Sequence, residues 1–143
     1  MPNSWSSADG TTILADPLGT ISGVVVSGDS RGKSLGFPTA NLDLDDDATL
    51  SPGVYAAVVK WDEGTYQAVA NFGYRPTFAG QGLVFELHLL DYEGDLYGKK
   101  LFVTLTWQLR DEIRFNDRKT LVEQIREDIR QARDWFTENE FHL

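Results

Sequence analysis

Between Lys100 and Leu109 the chain alternates with a period of two. Leu101, Val103, Leu105, Trp107 and Leu109 take one set of positions, and Phe102, Thr104, Thr106 and Gln108 the other. That pattern predicts a strand with two unlike faces. Such a strand must bury one face against other elements, so it commits the chain to a sheet. Other runs agree. Gly53–Trp61 and Thr65–Phe72 are apolar and β-branched, and Asp62-Glu63-Gly64 between them reads as the turn of a hairpin. Leu83–Leu90 is a further strand, followed by a turn at Tyr92-Glu93-Gly94-Asp95. Ile21, Val24, Val25 and Val26 mark an earlier one that ends at a glycine-rich loop beginning with Gly28.

The last element has a different period. Leu121, Ile125, Ile129 (or Asp128), Ala132 and Phe136 recur at steps of three and four, with Val122 and Trp135 widening the stripe. This predicts an amphipathic helix, capped at its start by Asn116 or Asp117. Five or six short antiparallel strands and one long helix follow, in a mainly β chain. There is no alternation of strand and helix, which excludes a doubly wound parallel sheet. A small closed barrel is the economical arrangement, because closure leaves no sticky edge.

Composition narrows the functional classes. The 143 residues suit one domain. Residues 1–18 are rich in Ser, Asp, Gly and Thr and predict a flexible N-terminal arm, with the domain proper spanning 19–143. There is no Cys and there are two His, so disulfides and thiolate or multi-His metal sites are excluded. With 13 basic against 22 acidic residues the net charge is −9, which argues against a nucleic-acid partner. A nucleotide would need local cations to offset that field. No apolar run approaches the roughly 20 residues that span a bilayer, and the N-terminus lacks a signal-peptide pattern. A monomeric, cytoplasmic protein without a membrane partner is expected.

Four segments carry chemistry. The loop Gly28-Asp-Ser-Arg-Gly-Lys-Ser-Leu-Gly-Phe-Pro-Thr-Ala-Asn41 gathers three glycines, Arg31, Lys33 and a Thr-x-Asn tail. Glycines let backbone N–H groups turn toward an anion, and a hydroxyl beside an amide suits a hydrated Mg²⁺. It is not a Walker A sequence, since Gly28 and Gly32 stand one residue too close. Residues alone leave phosphate binding and a flexible hairpin connection both open. Pro38 biases Phe37 toward extended backbone, which would turn Thr39 and Asn41 to one side. Glu86 lies in the Leu83–Leu90 strand, on the face of Val84, His88 and Leu90. Either it is an ordinary solvated carboxylate, or it is partly buried, where proton affinity rises and a general base for a hydroxyl becomes available. His88 reads as a structural hydrogen-bonding neighbour. The acidic run Asp43, Asp45, Asp46 and Asp47 reads as a solvated turn, because the glycine and the distant glutamate of a calcium loop are missing. Arg110-Asp111-Glu112-Ile113-Arg114-Phe115 is a charged loop, or a rim whose carboxylates and backbone pair with a planar heteroaromatic ring.

Taken in order, five blocks resemble the riboflavin kinase (flavokinase) family. They are the Gly28–Asn41 run, Pro52–Ala56, Val69–Phe78, Glu86–Asp91 with Gly94–Gly98, and Leu109–Glu112 with Phe115 before a helix. The resemblance covers about residues 20–136. It implies a six-stranded antiparallel Greek-key barrel with one long C-terminal helix. It implies a Mg²⁺-dependent transfer of the ATP γ-phosphoryl group to the ribityl 5′-hydroxyl of riboflavin, giving FMN and ADP. By position, Gly28, Arg31, Gly32, Lys33, Ser34, Gly36, Thr39 and Asn41 would serve the nucleotide, with Thr39 and Asn41 at the metal. Glu86 would be the catalytic base, and Phe37, Pro76, Arg110, Asp111 and Ile113 would lie near the flavin. Lys33 replaces the more usual Arg, and Phe72 stands where Ile is common. In many bacterial members this module is the C-terminal half of a bifunctional FAD synthetase. These residues leave no room for the adenylyltransferase half, so FMN is the expected end product. The rivals are a non-catalytic flavin- or nucleotide-binding module and another small-metabolite kinase on the same barrel. Retention of Thr39, Asn41 and Glu86 together favours an enzyme over a binding module.

Overall fold

The structure, a computed structural model, describes residues 4–6, 12–14, 18–28, 37, 39–45, 51–77 and 80–139. Two short strands, β1 (Ser4–Ser6) and β2 (Thr12–Leu14), pair antiparallel with Trp5 opposite Ile13. They lie where composition predicts a loose arm. A Trp and an Ile flanked by Ser and Thr favour a pleated pair over coil.

Six strands close into a barrel: β3 (Gly19–Gly28), β4 (Ala40–Leu44), β5 (Gly53–Trp61), β6 (Gly64–Thr77), β7 (Gly80–Leu89) and β8 (Lys100–Arg110). The order around the wall is β3-β4-β7-β6-β5-β8, and β8 pairs back onto β3. All neighbours are antiparallel. Strands β5, β6 and β7 form a meander and β8 returns beside β5, which is the Greek-key connection. The expected fold class is therefore the observed one.

The hairpin at Asp62-Glu63 is as the turn residues predict, with Trp61 opposite Gly64. Strands β6 and β7 run further than their apolar periodicity, to Thr77 and from Gly80, because they pair with each other along that whole length. Asp43 is not in a turn. It sits in β4 opposite Val24, and Asp45 just beyond it accepts from Ser22 Oγ at 2.7 Å and pairs with Lys100. Lys100 and then Ser22 hold the Asp45 carboxyl below the usual carboxylate range. Asp46 and Asp47 lie outside the described residues.

Inside the barrel, Val25, Ala40, Leu42, Tyr55, Ala57, Val59, Phe72, Phe85, Leu87, Leu101, Val103 and Leu105 form one buried cluster. The alternation of β8 holds only as far as Leu105. The register against β5 shifts between Ala57↔Leu105 and Ala56↔Trp107, leaving Thr106 as an extra residue. Thr106 is buried and donates its hydroxyl to the Ala56 carbonyl at 2.8 Å. Trp107 is thereby turned outward and is 53% exposed. A second shift between Tyr55↔Gln108 and Val54↔Arg110 brings Arg110 to the outer face. These bulges are backbone events that a period-two pattern does not announce.

The helix α1 (Arg118–Glu138) lies on that outer face. Asp117 caps it, accepting from Thr120 N at 2.8 Å. Ala132 and Phe136 pack on Ala56 and Val58, with Val69, Leu109 and Trp135 at the margin. Trp135 also stacks on Trp107 at 6.3 Å between ring centroids. Two charged clasps add to this. Arg133 binds Asp91 through two contacts of 3.0 Å. Arg110 binds Asp128 through contacts of 2.8 and 2.9 Å, and Asp128 takes a third from Gln124 at 3.0 Å. The buried member of the helical stripe is thus Asp128 rather than Ile129.

Asp128→Ala is expected to cost about 3 kcal/mol in urea unfolding, because it leaves the Arg110 guanidinium half-buried without its counter-ion. Asp117→Ala is expected to lower the unfolding midpoint at neutral pH. Hydrogen bonds from Thr120 hold the Asp117 carboxyl below the usual carboxylate range when folded. Its contribution is therefore whole above the unfolded-state value and is lost as pH falls through the depressed folded one. Unfolding curves of variant and wild type should converge in acid.

Candidate functional site

The alternation of β7 puts Phe85, Leu87 and Leu89 in the core and Glu86 and His88 on the outer wall. Glu86 is nonetheless buried, at 7% exposure. Its register explains the neighbours it has. On one side Glu86 is opposite Asn41 of β4, and on the other opposite Asn71 of β6. Residues directly opposite in adjacent strands share a face. The row continues from Asn71 to Val54 of β5 and from Val54 to Arg110 of β8. The outer wall therefore carries Asn41, Glu86, Asn71, Val54 and Arg110 side by side, and the three strand spacings from Glu86 to Arg110 amount to about 14 Å.

The Thr-x-Asn tail meets the carboxylate. Thr39 Oγ1 approaches Glu86 Oε2 at a long 3.5 Å, and Asn41 Oδ1 lies buried in the wall. Phe37 packs edge-on against His88, with ring centroids 6.0 Å apart. His88 thus supports the site as a ring contact. Gly28 pairs with Ala40 and Ser27 with Asn41, so both ends of the glycine-rich loop are fastened beside the same carboxylate. Arg31, Gly32, Lys33, Ser34, Gly36 and Pro38 lie outside the described residues.

The expected flavin residues lie further along the wall. Pro76 is in β6 opposite Gln81, five positions beyond Asn71. Arg110 is committed to Asp128, and its Nη1 also donates to the Asp111 carbonyl at 3.0 Å. The guanidinium stands 5.8 Å from the centre of the Phe115 ring. The clasp therefore anchors the start of the loop 111–117. Asp111 and Ile113 are exposed on that loop, Ile113 at 48%. Burial, with the Asp111 charge nearby, pushes the Tyr55 hydroxyl above its ordinary value, and that hydroxyl donates to the Ser51 carbonyl.

Two residues were given no role at the site from sequence. Asn71 lies in the Val69–Phe78 block but was given no role; only the β6–β7 register shows it facing Glu86. Asp128 had a signal, a carboxylate inside an apolar stripe, but its partner comes from 18 residues away.

As a metal site the donors are a hydroxyl, an amide oxygen and one neighbouring carboxylate. Among the described residues there is no group of three or more His, Cys, Asp or Glu that could hold an ion. An all-oxygen set with so little charge fits Mg²⁺, which keeps water and takes its other ligands from substrate phosphates.

Comparison with known proteins shows the family. The family model described as Flavokinase, riboflavin kinase, matches residues 18–136. The bifunctional riboflavin kinase/FMN adenylyltransferase of Escherichia coli K12 is 43% identical over 126 residues, covering 87% of this chain and 40% of that protein. Its namesake in Bacillus subtilis is 36% identical over 121 residues, covering 82% and 38%. The chain thus spans about two fifths of the length of these curated relatives. Among solved structures, a Streptococcus pneumoniae chain described as a macrolide-efflux protein superposes with a TM-score of 0.76 at 36% identity, over 83% of this chain and 39% of that one. A riboflavin kinase from Trypanosoma brucei superposes with a TM-score of 0.61 at 24% identity, over 85% and 79%, a likeness of fold. No helix among the described residues is long and apolar enough to cross a membrane. A match across most of the chain, on the barrel that carries the Thr39–Asn41–Glu86 constellation, makes this chain a member of the riboflavin kinase family.

Proposed function

We propose that this chain transfers the γ-phosphoryl group of ATP to the ribityl 5′-hydroxyl of riboflavin, giving FMN and ADP. The observation that carries the reading is the register of β4 against β7. It sets Asn41 opposite Glu86 and brings the Thr39 hydroxyl to 3.5 Å from that carboxylate. A phosphate-binding tail and a candidate base are thereby side by side.

Phosphoryl transfer leaves a protein mainly positioning and charge stabilisation to do. In this reading Glu86 accepts a hydrogen bond from the 5′-hydroxyl and takes its proton as the new O–P bond forms and ADP departs. Burial of Glu86 among Thr39, Asn41 and Asn71 fixes the direction of its lone pairs, which is what a base needs. The glycine-rich loop, with Arg31 and Lys33, cradles the phosphates. Thr39 and Asn41 would hold Mg²⁺, which when bound supplies charge neutralisation at the β- and γ-phosphates. The flavin ring lies toward Arg110, Asp111 and Ile113, with Phe37 and Pro76 at its margins. The second activity in the names of the bacterial relatives belongs to those longer proteins, and FMN is the product proposed here.

The test is to incubate the protein with riboflavin, ATP and Mg²⁺ and to follow FMN by chromatography. A module that only binds flavin would retain riboflavin and yield no FMN, and a kinase for another metabolite would phosphorylate a different member of a substrate panel. Glu86→Gln should lower kcat by on the order of 10²–10⁴ while riboflavin binding, read by flavin fluorescence, changes little. Near-normal turnover would remove Glu86 from the base role. Thr39→Ala should raise the KM for Mg·ATP by on the order of 10-fold, with flavin binding retained. An unaltered Mg²⁺ dependence would contradict the place given to Thr39.

A further inference from the structure

Gly73 follows Asn71 by two positions in β6, so a side chain there would point to the same outer face as Asn71 and Glu86. That place is taken. A Cβ built on Gly73 would run into both carboxylate oxygens of Glu112. Glu112 comes from the loop after β8, immediately beyond the Arg110–Asp128 clasp. Its carboxylate thus stands in the sheet lattice where residue 73 has none of its own. Gly73 itself is buried beneath it, opposite Val84.

The consequence is a strip of polar groups on one face. Glu86 and Asn71 are direct cross-strand partners, and Glu112 occupies the next place along β6. A diagonal neighbour on such a face lies about 7–8 Å away. Two acceptors at that spacing, with an amide between them, match a chain carrying hydroxyls on successive carbons. They do not match a single hydroxyl, which Glu86 alone would serve. Glu112 is exposed to solvent, so a ligand can reach its carboxylate.

We propose that Glu112 is a specificity-determining residue that accepts a hydrogen bond from a hydroxyl of the substrate's polyol chain, at a carbon further from the transferred phosphate than the one Glu86 serves. This rests on the kinase reading above. Gly73 is part of the same device, since only glycine leaves room for a carboxylate that arrives from another element.

Two variants test it. Glu112→Gln keeps the shape and removes the charge. Gly73→Ala keeps the charge and displaces the carboxylate. Each should raise the KM for riboflavin by on the order of 10-fold, with kcat within a few-fold of wild type and the KM for ATP unchanged. Binding of lumiflavin, which has the ring without the hydroxylated chain, should be unaltered, and thermal melting of Glu112→Gln should match wild type. An unchanged riboflavin KM in Glu112→Gln would overturn the proposal, as would an equal loss of lumiflavin affinity, which would place Glu112 at the ring or in the fold. The parent reading stands or falls separately, on whether the wild-type protein makes FMN.

Discussion

The β4–β7 ladder is two residue pairs long, Ala40 with Leu87 and Asn41 with Glu86, and the site depends on it. Strand residues alternate between faces, so a slip of one residue in either strand would exchange what lies inside with what lies outside. Ala40 and Leu87 are core residues, and the cost of exposing them sets the register. Asn41 and Glu86 inherit their position from that hydrophobic choice. The polar pair to which we assign a chemical task is thus aligned by its apolar neighbours, one residue along each strand.

A second layer of positioning comes from the helix. Its apolar side packs on Ala56 and Val58, and the same side carries Asp128. This carboxylate would be costly to bury alone. Paired with Arg110 and Gln124, it is satisfied on both oxygens and holds the end of β8 against the helix. The two register shifts in β8 cancel in phase, so the strand turns Trp107 outward and still ends with Arg110 on the outer face of Lys100 and Phe102. The loop that follows, with Asp111, Glu112 and Ile113, therefore leaves the barrel from an anchored point. Glu112 can then lie over Gly73 in a reproducible place.

Much of this was legible in advance, and the reasons differ by element. The β5–β6 hairpin was readable because its turn residues and both strands are contiguous, and the local code is complete. The helix was readable from its stripe, and Asp117 from its place before the first turn. Strand β4 was obscured by its own composition. One face is Asn41 and Asp43, and acidic residues favour turns unless a partner strand supplies the ladder. The outward turn of Trp107 was misread for a related reason, since a bulge is decided by the partner strand and leaves the side-chain pattern intact. The ordered blocks from Gly28 to Phe115 marked Glu86, Thr39 and Asn41 with roles, while Asn71, inside the Val69–Phe78 block, drew none until the β6–β7 register set it opposite Glu86.

Local sequence settled five of the six barrel strands, where the helix begins and which residue types are available for phosphate and hydroxyl chemistry. It could do so because periodicity, turn geometry and capping act over a few bonds. Closure of the barrel, the row from Asn41 to Arg110, the meeting of Arg110 with Asp128 and the lodging of Glu112 over Gly73 arose only on folding. Each joins residues distant in the chain through ladder register and packing, and those are set by burying the apolar faces of all six strands at once.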